Sequence, residues 1–117
     1  MARLEIDGSE LVLRLSTLEK LGAFRGDVRV PLSDVREVTV TDDPFREGRG
    51  LRAPGTGWPG RIALGTFRQR RGHEIYAFYR RRPAVVVALR GTRPGRLIVT
   101  VDDPQAVADH IRAAVPD

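Results

Sequence analysis

The chain has no cysteine, one methionine, one tryptophan and two histidines among 117 residues. Without cysteine there are no disulfides, thiol nucleophiles or thiolate metal sites. Histidine is too sparse for metal ligation, because His73 and His110 have no ligand spacing to each other or to a carboxylate pair. No apolar run is longer than 84–89, far short of the roughly 20 residues that span a bilayer as a helix. The opening residues Met1, Ala2, Arg3, Leu4 and Glu5 carry no apolar signal segment. Serine is scarce too: Ser9 sits in a turn, Ser16 at a helix cap, and neither they nor Ser33 lie in a nucleophile elbow. These absences predict a soluble cytoplasmic protein that is not an enzyme and has no metal or cofactor.

Lysine is nearly missing as well, since Lys20 is the one basic residue that is not arginine. Arginine binds phosphate and carboxylate with two parallel N–H groups. Codon bias in a GC-rich genome gives the same composition, and arginine also replaces lysine outside the basic region, which favours that explanation.

What is abundant is positive charge in the middle of the chain. Residues 44–96 hold thirteen arginines against Glu47 and Glu74, a net charge of +11. The flanking segments 1–43 and 97–117 are each at −3, which gives +5 for the whole chain. Segregated charge of this kind speaks to partners and solubility, and here it points to an anionic partner.

At this length one domain over 1–117 is expected, with roughly two-thirds of the unfolded surface buried on folding. Leu4 and Ile6, then Leu11, Leu13 and Leu15, alternate with polar residues around the turn Asp7-Gly8-Ser9, which reads as a hairpin. Ser16-Thr17-Leu18-Glu19 is a capping box, and Leu18, Leu21 and Phe24 continue it as a short helix near 17–25. Short strands follow at Val28 and Val30, and at Val38 and Val40, the latter ended by Asp42-Asp43-Pro44. The stretch 42–60 has no period and reads as one long irregular segment.

From residue 61 the pattern is a meander, with strands at 62–64, 74–79, 84–89 and 97–101. The run 84–89 is apolar enough to be buried on both faces. Asp103 as N-cap and Pro104 at the first turn open a last helix, with Val107, Ile111 and Val115 as its apolar stripe. The expected class is mainly β: seven or eight antiparallel strands in a sandwich or partly open barrel, with the last helix closing one opening.

The phrase Val30-Pro31-Leu32-Ser33-Asp34-Val35-Arg36-Glu37-Val38 resembles a strand–kink–strand passage of the bacterial pleckstrin-homology-like (PH-like) domains. Ile62-Ala63-Leu64-Gly65-Thr66 after a glycine-rich loop is similar too, as is the passage from Leu97 to Val101 through Asp102-Asp103-Pro104 into a helix. The resemblance implies a seven-stranded bent sandwich capped by a C-terminal helix, and a role in binding or scaffolding. The inserted helix and the 42–60 segment depart from the simplest pattern. The phosphoinositide signature of the family's eukaryotic members is absent, because the first turn is Asp7-Gly8-Ser9.

Gly55-Thr56-Gly57-Trp58-Pro59-Gly60 matches a dinucleotide-loop motif in letters alone. That motif needs a helix N-terminus behind it, and here Pro59 removes a donor and a strand follows. Arg46, Arg49, Arg52 and Arg61, with Trp58, make a more suggestive set, since arginine and tryptophan dominate protein-binding hot spots and also grip phosphates and bases. Arg80, Arg81 and Arg82 form a turn cluster which, with 73–79 as a single extended strand, lies at its end opposite the cluster 68–71, roughly 24 Å away and beyond a Debye length of about 8 Å. Arg90, Arg93 and Arg96 are expected at the 68–71 end. The site residues are therefore Arg46, Arg49, Arg52, Trp58, Arg61, Arg80, Arg81 and Arg82, meeting a protein partner or a second copy of the chain. Anionic lipid or nucleic acid is the alternative partner class.

Overall fold

The computed structural model describes residues 2–16, 27–44, 56–58, 62–69, 72–79, 82–91 and 94–116, with the backbone alone for 56–58, 62–65 and 67–69. The helix expected near 17–25 lies outside the described residues.

The first three strands are β1 (Arg3–Asp7), β2 (Glu10–Arg14) and β3 (Val28–Pro31), which pair antiparallel in that order. Gly8 has φ 63° in the two-residue β1–β2 turn, a left-handed conformation that glycine adopts without strain. Leu4, Leu11, Leu13, Val28 and Val30 face the core, as the alternation requires. Asp27 Oδ1 accepts from the Leu15 N–H at 2.9 Å, so the chain leaves and rejoins this sheet at adjacent points.

A 3-10 turn at Leu32–Asp34 leads into β4 (Val35–Thr41), the first strand of a second sheet. The other strands of that sheet are β5 (Thr56–Trp58), β6 (Ile62–Gln69), β7 (Gly72–Tyr79), β8 (Ala84–Leu89) and β9 (Arg96–Val99). Their order is β4-β8-β9-β7-β6-β5. The molecule is thus mainly β, two sheets with a C-terminal helix.

Three expectations are corrected here. The described strands number nine, not seven or eight. The 42–60 segment is not wholly irregular, because β5 pairs with β6 through Thr56–Leu64 and Trp58–Ile62. The sheet is not a simple antiparallel meander: β9 inserts between β8 and β7 and runs parallel to β7. Burial explains the insertion. Leu97, Ile98 and Val99 are all at most 1 % exposed, so this strand is apolar on both faces and belongs inside the sheet. Ile98 is the residue that breaks the simple alternation of Leu97, Val99 and Val101.

The large sheet therefore buries both faces. Ile75, Ala77, Val85, Val87, Leu89, Leu97 and Val99 join the core shared with the first sheet. Tyr76, Phe78, Ala84, Val86 and Ile98 form a second cluster on the opposite face. Beyond β9 the buried Thr100 completes the β7 edge: its N–H donates to Ala77 O at 2.9 Å, and its Oγ1 accepts from Tyr79 N–H at 3.0 Å.

The last element is α1 (Pro104–Ala114). Asp103 caps it as expected, accepting from Ala106 N–H at 3.3 Å, with Pro104 in the first turn. The helix touches β4, β8 and β1, so it closes the core where the two sheets open. Ile111 and Ala108 are buried, and Val107, Ala114 and Val115 pack at the margin. Ile111→Ala should lower the free energy of unfolding in urea by about 2–5 kcal/mol, and Val107→Ala by clearly less. Equal losses at the two positions would show that α1 is not seated on this stripe.

Candidate functional site

Six of the eight expected site residues, Arg46, Arg49, Arg52, Arg61, Arg80 and Arg81, lie outside the described residues. The other two fix a location. Trp58 ends β5 opposite Ile62, and Ile62 in turn is opposite Tyr79 at the end of β7. Arg82 is exposed, and its N–H donates to Tyr79 O at 3.4 Å. Trp58, Ile62 and Tyr79 thus form one row across three strands, about 10 Å wide, at one end of the large sheet. Arg61 and Arg80 are the chain neighbours of two residues in that row.

The opposite end is built differently. Gly95 N–H donates to His73 O at 2.7 Å, so the 90–96 connection adjoins the start of β7 as expected. Two of its arginines, Arg90 and Arg96, are held by the chain itself. Arg90 donates from its backbone N–H to Asp34 O at 2.7 Å and from Nε to Ser33 O at 3.2 Å. Arg96 donates from Nε and Nη2 to Glu74 Oε1 at 3.0 and 2.8 Å.

Glu74, Tyr76 and Arg96 are a constellation that sequence reasoning did not find. Tyr76 donates its phenol proton to the same Glu74 Oε1 that Arg96 grips. Glu74 and Arg96 are direct partners in the parallel β7–β9 ladder, and Tyr76 is two residues along the same face as Glu74. The pair is largely buried, at 16 % and 25 % side-chain exposure. Burial works against the Arg96 charge, but the hydrogen bond to Glu74 and its negative charge outweigh that and raise the pKa. Burial raises the Tyr76 pKa well above its ordinary value, and the bond to Glu74 and its charge add to this. Tyr76 also packs on Phe78, with ring centroids 5.1 Å apart. The one signal in the sequence was Glu74 itself, an acid on an apolar strand within the arginine-rich region. Its partner was hidden by the strand order.

The N-terminal sheet neutralises itself. On its outer face Arg14 meets Glu5 at 2.8 Å and Asp27 at 3.4 Å, and Arg29 meets Asp7 at 3.0 Å and Glu10 at 3.1 Å. The hydrogen bond that Arg14 donates to Glu5 raises its pKa, and those that Arg29 donates to Asp7 and Glu10 raise that of Arg29. Val12 sits at the centre of this charged ring, with Glu5 and Arg29 as its cross-strand partners, and is fully buried.

His73 is half-buried and His110 exposed, and no group of metal-ligating side chains occurs among the described residues. Thr56–Trp58 is itself a strand that pairs antiparallel with β6, and the next described element after Gly60 is that strand and not a helix. No helix among the described residues is long and apolar enough to cross a membrane. No family model, curated protein or solved structure matches the chain.

The Tyr76 shift has a definite sign. A raised pKa means the folded state holds the phenol proton more tightly than the unfolded chain. That contribution to stability is complete below the unfolded value of about 10 and is lost as pH climbs through the folded value. The melting temperature should therefore fall as pH rises above about 10, and Tyr76→Phe should make the fall shallower. Identical alkaline slopes for the two proteins would refute this.

Proposed function

We propose that this chain is a non-enzymatic PH-like module for binding or scaffolding. Its contact surface is the sheet end marked by Trp58, Ile62, Tyr79 and Arg82, with Arg46, Arg49, Arg52, Arg61, Arg80 and Arg81 supplying the charge. The partner is an acidic protein surface.

The observation that carries this reading is the row Trp58–Ile62–Tyr79, which brings the only tryptophan of the sequence to the end of β7 that leads to Arg82. At the 90–96 end, Arg90 and Arg96 are bound to carbonyls and to Glu74 of their own chain. At the other end, the row that contains the only tryptophan is adjoined in sequence by Arg61 and by 80–82. The acids of the N-terminal sheet do not balance this charge, because Glu5, Asp7 and Glu10 pair with Arg14 and Arg29 of that same sheet. Arginine beside an aromatic residue is the composition of a protein-binding hot spot. Charge of one sign on such a surface steers acidic partners to it and disfavours basic ones.

The test is a fluorescence titration with an Asp/Glu-rich peptide, anionic phosphatidylserine vesicles and duplex DNA, each at low and at physiological salt. The peptide should bind. The charge reversals R46E/R49E/R52E and R80E/R81E/R82E should each weaken it by about tenfold or more. Arg3→Glu, on the distant first sheet, should leave binding unchanged. Stronger binding to vesicles or DNA, with a steep salt dependence, would replace the protein-partner reading with one of anionic lipid or nucleic acid. No binding to any of the three would overturn the electrostatic reading altogether.

A further inference from the structure

β8 and β9 carry little information about their own register. Where one face of a strand is wet, a shifted pairing moves apolar residues into water, and that fixes the alignment. These two strands are apolar on both faces. Leu97, Ile98 and Val99 lie against Val87, Val86 and Val85 on one side and against Ile75, Tyr76 and Ala77 on the other.

A slip of β9 by two residues leaves each side chain on its own face. Moved toward the far end of β7, Leu97 falls against Ala77 and Val85, and Ile98 against Phe78 and Ala84. Those four partners are buried and apolar as well. Apolar contacts therefore do not choose between the two alignments.

Arg96 does choose. In the observed register it lies opposite Glu74 and donates from Nε and Nη2 to Glu74 Oε1 at 3.0 and 2.8 Å. Tyr76 donates to the same oxygen. The slip just described sets residue 96 between Tyr76 and Val86, inside the second apolar cluster, and takes it away from Glu74. The opposite slip sets Ile98 against Glu74. It also drives Thr100 into that cluster, away from the Tyr79 N–H from which its Oγ1 accepts. Either slip separates two largely buried charges, which costs far more than exchanging one apolar neighbour for another.

We propose that the Glu74–Arg96 pair, with the Tyr76 hydroxyl, is the register lock of the large sheet. It selects one alignment of β9 on β7 from those that the apolar residues allow. Polar groups buried in an apolar interface can fix register in this way without adding net stability. The proposal does not rest on the Trp58 surface.

Replacing both charges at once tests it on the full chain, because no unpaired charge is left behind. Amide correlation spectra of the wild type should show one set of β9 signals. Glu74→Met with Arg96→Met should fold, as judged by circular dichroism, and show a second β9 set at about a tenth of the population or more. In that set Ile98 should contact Phe78 and Ala84 in place of Tyr76 and Val86. A single set in the slipped register supports the proposal equally. Exchanging the charges, Glu74→Arg with Arg96→Glu, should return the single wild-type set. Glu74→Leu with Arg96→Leu serves if the methionine variant does not fold. A folded apolar variant with one set of signals in the wild-type register overturns the proposal, as does a charge exchange that does not return that set. Failure of both apolar variants to fold overturns it too, since the pair would then hold the fold and not its register.

Discussion

The double-sided burial of β8 and β9 is the constraint on which the rest of this structure depends. A strand that is apolar on both faces has no favourable place at the margin of a sheet with one wet side. Val85 and Val87 point into one core and Ala84 and Val86 into the other, and Ile98 does the same against Leu97 and Val99. Both strands lie in the interior, with β9 between β8 and β7 and parallel to β7. The first sheet and α1 cover one face of this platform. With both faces occupied by apolar side chains, polar chemistry is confined to strand ends, to the outer edge at β4 and to the outside of the first sheet.

The polar groups follow from that confinement. Arg96 reaches Glu74 because β9 lies beside β7, and the buried pair is tolerable because its shared oxygen also accepts from Tyr76. Removing one member would leave the other charged and buried, a far larger penalty than the net worth of the pair. The N-terminal ion pairs are of another kind. Arg14 and Arg29 are substantially exposed, so the contribution of each pair to stability is small. Their consequence is electrostatic: they use up acids that would otherwise be available to the arginine-rich middle of the chain.

Much of the fold was legible in the residues themselves. The first hairpin, the β3 stop at Pro31, the apolar β8 and the Asp103-capped helix with Ile111 on its inner stripe all follow from local pattern and cap chemistry. Those signals depend on residues close in sequence. Strand order depends on which strands must be dry on both faces, and Ile98 was the residue that carried that information. The placement of Arg90 and Arg96 near the start of β7 was legible, since reversing direction at each turn gives the same end whichever neighbour a strand has. The Glu74–Arg96 contact was not, because it requires β9 beside β7. Val12 was missed because a lone apolar residue among charges reads as exposed, whereas it is fully buried. Of the candidate site, the joining of Trp58 to the 80–82 turn came from register, through β5, a strand too short and glycine-rich to announce itself.

The most direct measurement is the pattern of backbone nuclear Overhauser effects around Ile98 in the full chain. The account predicts contacts from Ile98 to Tyr76 and Ala77 on one side and to Val86 on the other, with the parallel spacing on the β7 side. Direct backbone contacts between β7 and β8, with Ile98 touching one neighbour only, would contradict it. The Glu74–Arg96 pairing would then lose its structural basis.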